Sequence, residues 1–193
     1  IVRSTDNGSS FDNVTSPTAN HLYGVTFGNN TFVGVGASGN IVRSTDNGTN
    51  WDNATSGISQ YLFGNTFGNN TFVAVGTSGN IVRSTDNGSS WDNATSCQFS
   101  TNLADVTFGN NTSVAVGLPG NIVRSTNSGL SWDNVTSVNS QYLYGITFGN
   151  NTFVAVGTDG KIVRSTADGS SWDNATSPIE TNLYGITFGN NTF

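Results

Sequence analysis

Methionine is absent from this chain, and cysteine and histidine occur once each, as Cys97 and His21. A single cysteine excludes an intrachain disulfide, and in a variable loop it reads as a small, half-exposed filler rather than a nucleophile or metal ligand. Nothing in the sequence sets a carboxylate or nucleophile against His21, and Glu180 is the only glutamate, so general acid–base chemistry has few groups to draw on. Charge is scarce too, at 9% of residues, with a net of −6 and a pI near 4.3. The five arginines and Lys161 are spread one or two per repeat and never form a run, which argues against a nucleic-acid partner. No apolar run approaches the roughly 18 residues that span a bilayer, so membrane insertion is not expected, and no signal peptide is visible. The missing methionine reads as a processed, trimmed or excerpted chain.

What remains is rich in Gly, Asn, Ser and Thr, the composition of turn-rich β structure. It is also periodic. IVRSTDNG stands at Ile1, Ile41 and Ile81, IVRSTNSG at Ile122 and IVRSTADG at Ile162. A period near forty residues points to a propeller or a similar array. One unit divides into four short strands, here a to d: LFGNTFGNN from Leu62, TFVAVG from Thr71, NIVRST from Asn80 and SWDNATS from Ser90. The joins Gly-Asn-Asn, Gly-Thr-Ser-Gly-Asn and Asp-Asn-Gly offer residues that tolerate positive φ, so the strands read as hairpins of an antiparallel meander. No stripe at helical spacing occurs, and essentially no helix is expected.

Such a meander cannot hide both faces alone, so units must stack, and a ring removes the open ends. The expected fold class is therefore all-β: one propeller domain over residues 1–193, of about five four-stranded antiparallel blades. Four blades are complete, and the last is shared by the two termini, Ile1 to Ser16 with Leu183 to Phe193. Strand b of that shared blade stops at Phe193, whereas its equivalents continue with VAVG. Self-association through this incomplete blade is one expected consequence.

The turn between c and d carries the most specific pattern. STDNGSSF from Ser4, STDNGTNW from Ser44 and STDNGSSW from Ser84 read Ser-x-Asp-x-Gly-x-x-aromatic. STNSGLSW from Ser125 has Asn127 in place of the Asp, and STADGSSW from Ser165 has Ala167 there, with Asp168 one place on. The pattern resembles the Asp-box, or bacterial neuraminidase repeat, of β-propellers such as sialidases, sortilin-type receptors and photosystem II assembly factor-like proteins. The resemblance covers all five units and implies a propeller. Physical reasoning makes the box structural: Asp6, Asp46, Asp86 and Asn127 accept N–H groups of their own turns, and Trp51, Trp91, Trp132 and Trp172 cement neighbouring blades. No metal site, cofactor or catalytic residue is expected. If Thr5 opposes Ser10, then Arg3, Arg43, Arg83, Arg124 and Arg164 oppose Asp12, Asp52, Asp92, Asp133 and Asp173, which predicts one cross-strand ion pair per blade. The resemblance to sialidases would instead imply three arginines converging on a carboxylate substrate, but here they occupy one equivalent position per blade.

The units differ mainly in two connections, d to a and b to c, which in a four-stranded blade emerge on the same face. Variable loops over a rigid scaffold are where binding sites commonly sit. Tyr61, Gln141 and Tyr142, with His21, Asn102 and Asn182, are the candidate ligand-binding residues, suited to stacking on a sugar or hydrogen-bonding to it. The expected function is a non-catalytic recognition module for a glycan or a protein, a possible lectin, outside the cell or on its surface. The alternative is a structural or adhesive repeat, natural or designed, acting as a spacer or self-assembling unit.

Overall fold

The computed structural model describes residues 1–96, 100–135 and 140–193; Cys97 and the first part of its loop, and Val138 in the next such loop, lie outside them. A short hairpin, β1 (Val2–Arg3) and β2 (Asp12–Asn13), comes first. Blade 1 follows as β3 (Leu22–Gly28), β4 (Thr31–Gly36), β5 (Ile41–Ser44) and β6 (Asp52–Ala54). Blade 2 is β7 (Leu62–Gly68), β8 (Thr71–Gly76), β9 (Ile81–Ser84) and β10 (Asp92–Asn93), after which β11 (Thr95–Ser96) leads out. Blade 3 is β12 (Leu103–Gly109), β13 (Thr112–Gly117), β14 (Ile122–Ser125) and β15 (Ser131–Val135). Blade 4 is β16 (Leu143–Gly149), β17 (Thr152–Gly157), β18 (Ile162–Ser165) and β19 (Asp173–Ala175). Each blade is an antiparallel meander in sequence order, and the whole is an all-β propeller of about five blades. Of the fifth, the β1–β2 hairpin is a two-stranded sheet of its own set against blade 1, with Arg3 donating to the Asn47 carbonyl, and residues 183–193 lie against blade 4, with Phe188 beside Gly149.

The turn residues act as their chemistry requires. Asn69 and Asn70 take φ of 48° and 55° between strands a and b, which the short polar side chain of Asn tolerates and which matches the twist of a two-residue hairpin. Ser78 and Gly79 adopt the same region in a single 3-10 turn between b and c. That turn and its counterparts at Ala37–Gly39 and Thr158–Gly160 are the helical elements among the described residues.

Strand b is a continuous apolar run because both of its faces are covered. Phe72, Val73, Ala74 and Val75 are all buried, and the core lies between blades rather than within them. Val33, Val35 and Ile41 of blade 1 pack with Leu62, Phe72, Ala74, Val82 and Trp91 of blade 2, and the same arrangement recurs between blades 2 and 3 and between blades 3 and 4. Each buried Val, Leu or Phe contributes about 1.5–3 kcal/mol, so a blade is held chiefly by its neighbours. Trp91, Trp132 and Trp172 are buried in these seams, and each donates its indole N–H to the carbonyl of its own turn glycine at 3.0–3.2 Å. Trp51, beside the two-stranded hairpin, is only half-buried.

Two expectations need correction. The register is as expected, with Arg43 opposite Asp52 and Arg124 opposite Asp133, but the arginines do not pair with those carboxylates. Arg43 donates to Ser89 Oγ at 2.9 Å, Arg83 to the Ser128 carbonyl at 3.1 Å and Arg3 to the Asn47 carbonyl at 3.1 Å, each in the turn of the following blade. An exposed ion pair is worth less than about 1 kcal/mol, so a guanidinium is readily drawn to carbonyls and hydroxyls at a packed seam. The ion pair among the described residues is Arg124–Asp168, also between blades. Strand d is also shorter than expected: after Asn93 the chain runs into β11, which pairs in parallel with β15 of the next blade, and a Thr55–Ser90 bridge does the same one blade earlier.

Candidate ligand-binding face

The d-to-a and b-to-c connections are tied together in every complete blade. The carbonyls of His21, Tyr61, Asn102 and Tyr142 accept N–H bonds from Ala37, Thr77, Leu118 and Thr158 at 2.9–3.0 Å. The variable loops therefore share one face, as expected. The a-to-b and c-to-d turns meet on the other, where Asn29 donates to Asn87 Oδ1 at 3.2 Å.

A β-bulge shapes the loop face. Leu22 pairs with Gly36 and Gly24 with Val35, leaving Tyr23 as the extra residue; Phe63, Ala104 and Tyr144 hold that place in the next blades. A bulge re-aims its side chain. Here it brings Tyr23 to 6.2 Å from the Tyr61 ring and 5.7 Å from Phe63, with Tyr61 and Phe63 edge-on at 6.4 Å. A second cluster forms from Tyr142, Tyr144 and Tyr184, the last two stacked at 5.1 Å. Tyr23, Tyr61, Tyr142 and Tyr184 are all exposed. Blade 3, with Ala104 and Asn102 at the matching positions, interrupts the aromatic rim.

Of the residues anticipated from sequence, Tyr61 and Tyr142 each join an aromatic cluster. Asn102 and Asn182 serve the scaffold instead: their side-chain oxygens accept the N–H groups of Ser78 and Asp159 at 3.0 and 3.2 Å. His21 is exposed and reaches the loop network through its carbonyl. Gln141 is half-buried next to Tyr142. Tyr23, Phe63, Tyr144 and Tyr184 were not anticipated, although an aromatic follows the leading Leu of strand a in four of the five units.

The inner strands hold two polar departures that sequence reasoning also passed over. Asp105 replaces the glycine of the LxGxTFG strand, and Asn65 replaces the Val or Ile beside it. The Asp105 carboxylate accepts the N–H of Val106 at 2.8 Å and of Ile146 at 3.0 Å. Desolvation pushes its pKa up, and the two amide bonds only partly oppose this. Asn65 donates to the Val33 carbonyl at 2.9 Å, while its Oδ1 is buried without a partner. Comparing the units column by column would have exposed both.

On the opposite face, the Ser-x-Asp-x-Gly turn is self-contained. Ser84 Oγ donates to Asp86 Oδ1 at 2.8 Å and accepts the Gly88 N–H at 2.9 Å, while Asp86 Oδ1 accepts the Ser90 N–H at 3.0 Å. Hydrogen bonds from Ser4 and Ser10 lower the Asp6 pKa to about 2, and those from Asn50 and Ser44 do the same for Asp46. At Asp86, desolvation pulls upward, but the bonds from Ser90 and Ser84 outweigh it and leave the value near 2. Asn127 makes the same contacts with an amide. In the fifth copy the displaced carboxylate breaks the pattern: Ser165 Oγ is buried without a partner, and Asp168 turns to the Ser170 N–H and to Arg124. Among the described residues no three His, Cys, Asp or Glu side chains are grouped to hold a metal ion, and no helix is long and apolar enough to cross a membrane.

No family model matches the chain, and no curated protein does. Solved structures do. YCF48 from Cyanidioschyzon merolae superposes with a TM-score of 0.72 at 19% identity, over 92% of this chain and 63% of that one. YCF48 bound to D1 peptide gives 0.69 at 18% identity, over 89% and 58%. An ancestral GH74 enzyme gives 0.75 at 21% identity, over 94% and 29%. The chain thus spans about three-fifths of the first two and under a third of the third. Likeness at this level of identity establishes the β-propeller fold.

Proposed function

We propose that this chain is a non-catalytic recognition module that binds an extended segment of another protein across its loop face. The observation that carries the reading is the pair of exposed tyrosine clusters on the face where the units differ. Tyrosine offers large, rigid contact area with a polar tip, which suits it to interfaces. One structure of similar fold, YCF48, is bound to a peptide. A glycan is the second reading, because the same rings can stack on a sugar. The turn on the far face is read as an Asp-box with a structural role, since an amide serves in its place at Asn127. Non-catalytic status rests on how the groups are dispersed: each of Arg3, Arg43, Arg83 and Arg124 is engaged at a seam with the following blade, so the arginines do not converge. The sparsely charged, Asn- and Thr-rich composition supports a location outside the cell or at its surface.

Peptide and glycan arrays probed with the 193-residue protein test this, followed by Tyr61→Ala and Tyr142→Ala on any probe retained. Loss of peptide affinity by about tenfold or more in either variant is expected for an aromatic anchor. Retention of glycans alone would move the second reading ahead. Retention of peptides with no dependence on either tyrosine would place the site elsewhere and sink this reading.

A further inference from the structure

The bulge residues stand side by side at the loop-face end of the inner strands, because β12 runs beside both β7 and β16. Phe63 and Tyr144 therefore flank Ala104, whose methyl group leaves a notch between the two tyrosine clusters. Asp105 follows directly, in a column where Gly24, Gly64, Gly145 and Gly185 carry no side chain. Ala104 and Asp105 both remain partly open to solvent. The carboxylate reaches sideways to both neighbouring blades: a Cβ on Gly64 would lie 2.9 Å from Oδ1, and Oδ2 accepts the Ile146 N–H at 3.0 Å. Asn65 stands one blade back and one place further along the strand, its Oδ1 buried without a partner.

A carboxylate drawn partly out of water is costly unless a cation faces it. Among the described residues no lysine or arginine forms an ion pair with Asp105. Arg43, Arg83 and Arg124 are held instead at the Ser-x-Asp-x-Gly turns of the far face. The loop connections add Asp159 and Glu180 against Lys161, whose Nζ donates to Asn174 at 3.3 Å, so this face is acidic overall. Two main-chain N–H groups fix the Asp105 carboxylate and leave further lone pairs free to accept. The site thus has a fixed anion, an aromatic wall on either side and no counter-ion of its own.

We propose that the protein segment held across the loop face carries a lysine or arginine between two apolar side chains. The apolar residues pack on the Tyr61 and Tyr142 clusters, and the cation enters the notch over Ala104 to pair with the Asp105 carboxylate. This rests on the peptide-binding reading above and gives the partner its chemistry. The rings of Phe63 and Tyr144 suit the alkyl stem of such a side chain as well as its charge. Asn65 Oδ1, one seam away, is a further acceptor of the kind an ammonium or guanidinium group takes. A charge-assisted bond outweighs a neutral one, so Asp105 selects the segment that the tyrosines anchor.

Arrays of short peptides with a central Lys, Arg, Leu or Glu and randomised apolar residues on both sides, probed with the 193-residue protein, decide it. The expected result is retention of the Lys and Arg peptides about tenfold or more above their Leu and Glu counterparts. Asp105→Asn keeps the size of the side chain and an acceptor for an amide, and it should abolish that preference, whereas Asp159→Asn should keep it. Ala104→Tyr restores the aromatic found in other units, closes the notch and should abolish the preference without touching the carboxylate. Leu peptides retained as well as Lys peptides, with dependence on Tyr61 and Tyr142, would overturn this inference and leave the peptide-binding reading standing. A Lys preference that survives both Asp105→Asn and Ala104→Tyr, or one lost equally in Asp159→Asn, overturns the assignment to Asp105. Retention of no peptide, or retention indifferent to both tyrosines, overturns the reading of the face and this inference with it.

Discussion

Asn127 Oδ1 accepts the main-chain N–H of Ser131 at 3.0 Å, the same bond that Asp86 makes to Ser90 at the same distance. Ser125 completes the likeness, donating to Asn127 as Ser84 does to Asp86. One acceptor oxygen aimed at the turn is therefore what the hairpin requires, and a negative charge is optional. The hydrogen bonds within the turn are thus enough to account for the residue at this position.

Replacing the carboxylate with its amide should accordingly be tolerated. Asp86→Asn is expected to change stability by less than about 0.5 kcal/mol near neutral pH, as surface substitutions that keep their contacts usually do. Asp86→Ala removes the acceptor for the Ser84 hydroxyl and the Ser90 amide and should cost about 1 kcal/mol. Urea denaturation of the two variants at pH 7 distinguishes them; equal losses would show that the charge, not the acceptor, matters.

Acid should weaken the fold through these same turns. Asp6, Asp46 and Asp86 titrate at about 2 in the folded chain, against an ordinary value of 3.8. Folding therefore favours their ionised form, and their contribution is whole above about pH 4 and lost as the pH falls through 2. The urea midpoint should drop between pH 5 and pH 2, and the drop should be smaller in Asp86→Asn. A variant that loses as much as the wild type would remove this carboxylate from the account.

The seams should be unequal. Trp91 is 7% exposed and packs with both blades 1 and 2, so Trp91→Ala is expected to cost about 3–5 kcal/mol. Trp51 has only the short hairpin on its far side and borders an apolar cavity, so the same change there should cost clearly less. Thermal or chemical unfolding of the two variants tests the order, and equal costs would mean that the first seam is as well filled as the second.

Much of this architecture could be read from the sequence because it is written in local chemistry. The turns declare themselves through Asn29, Asn30, Ser38 and Gly39, and a register fixed by a short hairpin correctly set Arg43 opposite Asp52. What escaped depends on how blades meet. Nothing in one unit says that Arg43 will leave Asp52 for Ser89 of the next blade, or that a bulge will push Tyr23 against Tyr61. The candidate loops were found because they vary, while the bulge aromatics were passed over because they sit in a strand that barely does.

Asp105 is the departure whose consequences run furthest. It stands where the other blades have glycine, and its carboxylate is desolvated against the inner strands, so its pKa is raised. Folding favours the protonated form of such a group. Its contribution is whole below the ordinary carboxylate value and is lost as the pH rises through the elevated one, the reverse of the turn aspartates. Asp105→Gly restores the residue found in the other units and removes this penalty, at the cost of the bond to the Ile146 amide. The stability of the variant relative to the wild type should therefore improve from pH 4 to pH 7, whichever is the more stable at pH 4. Urea midpoints at the two pH values measure the difference, and a gap that stays constant or moves toward the wild type would show that the two amide bonds hold the carboxylate ionised at no net cost.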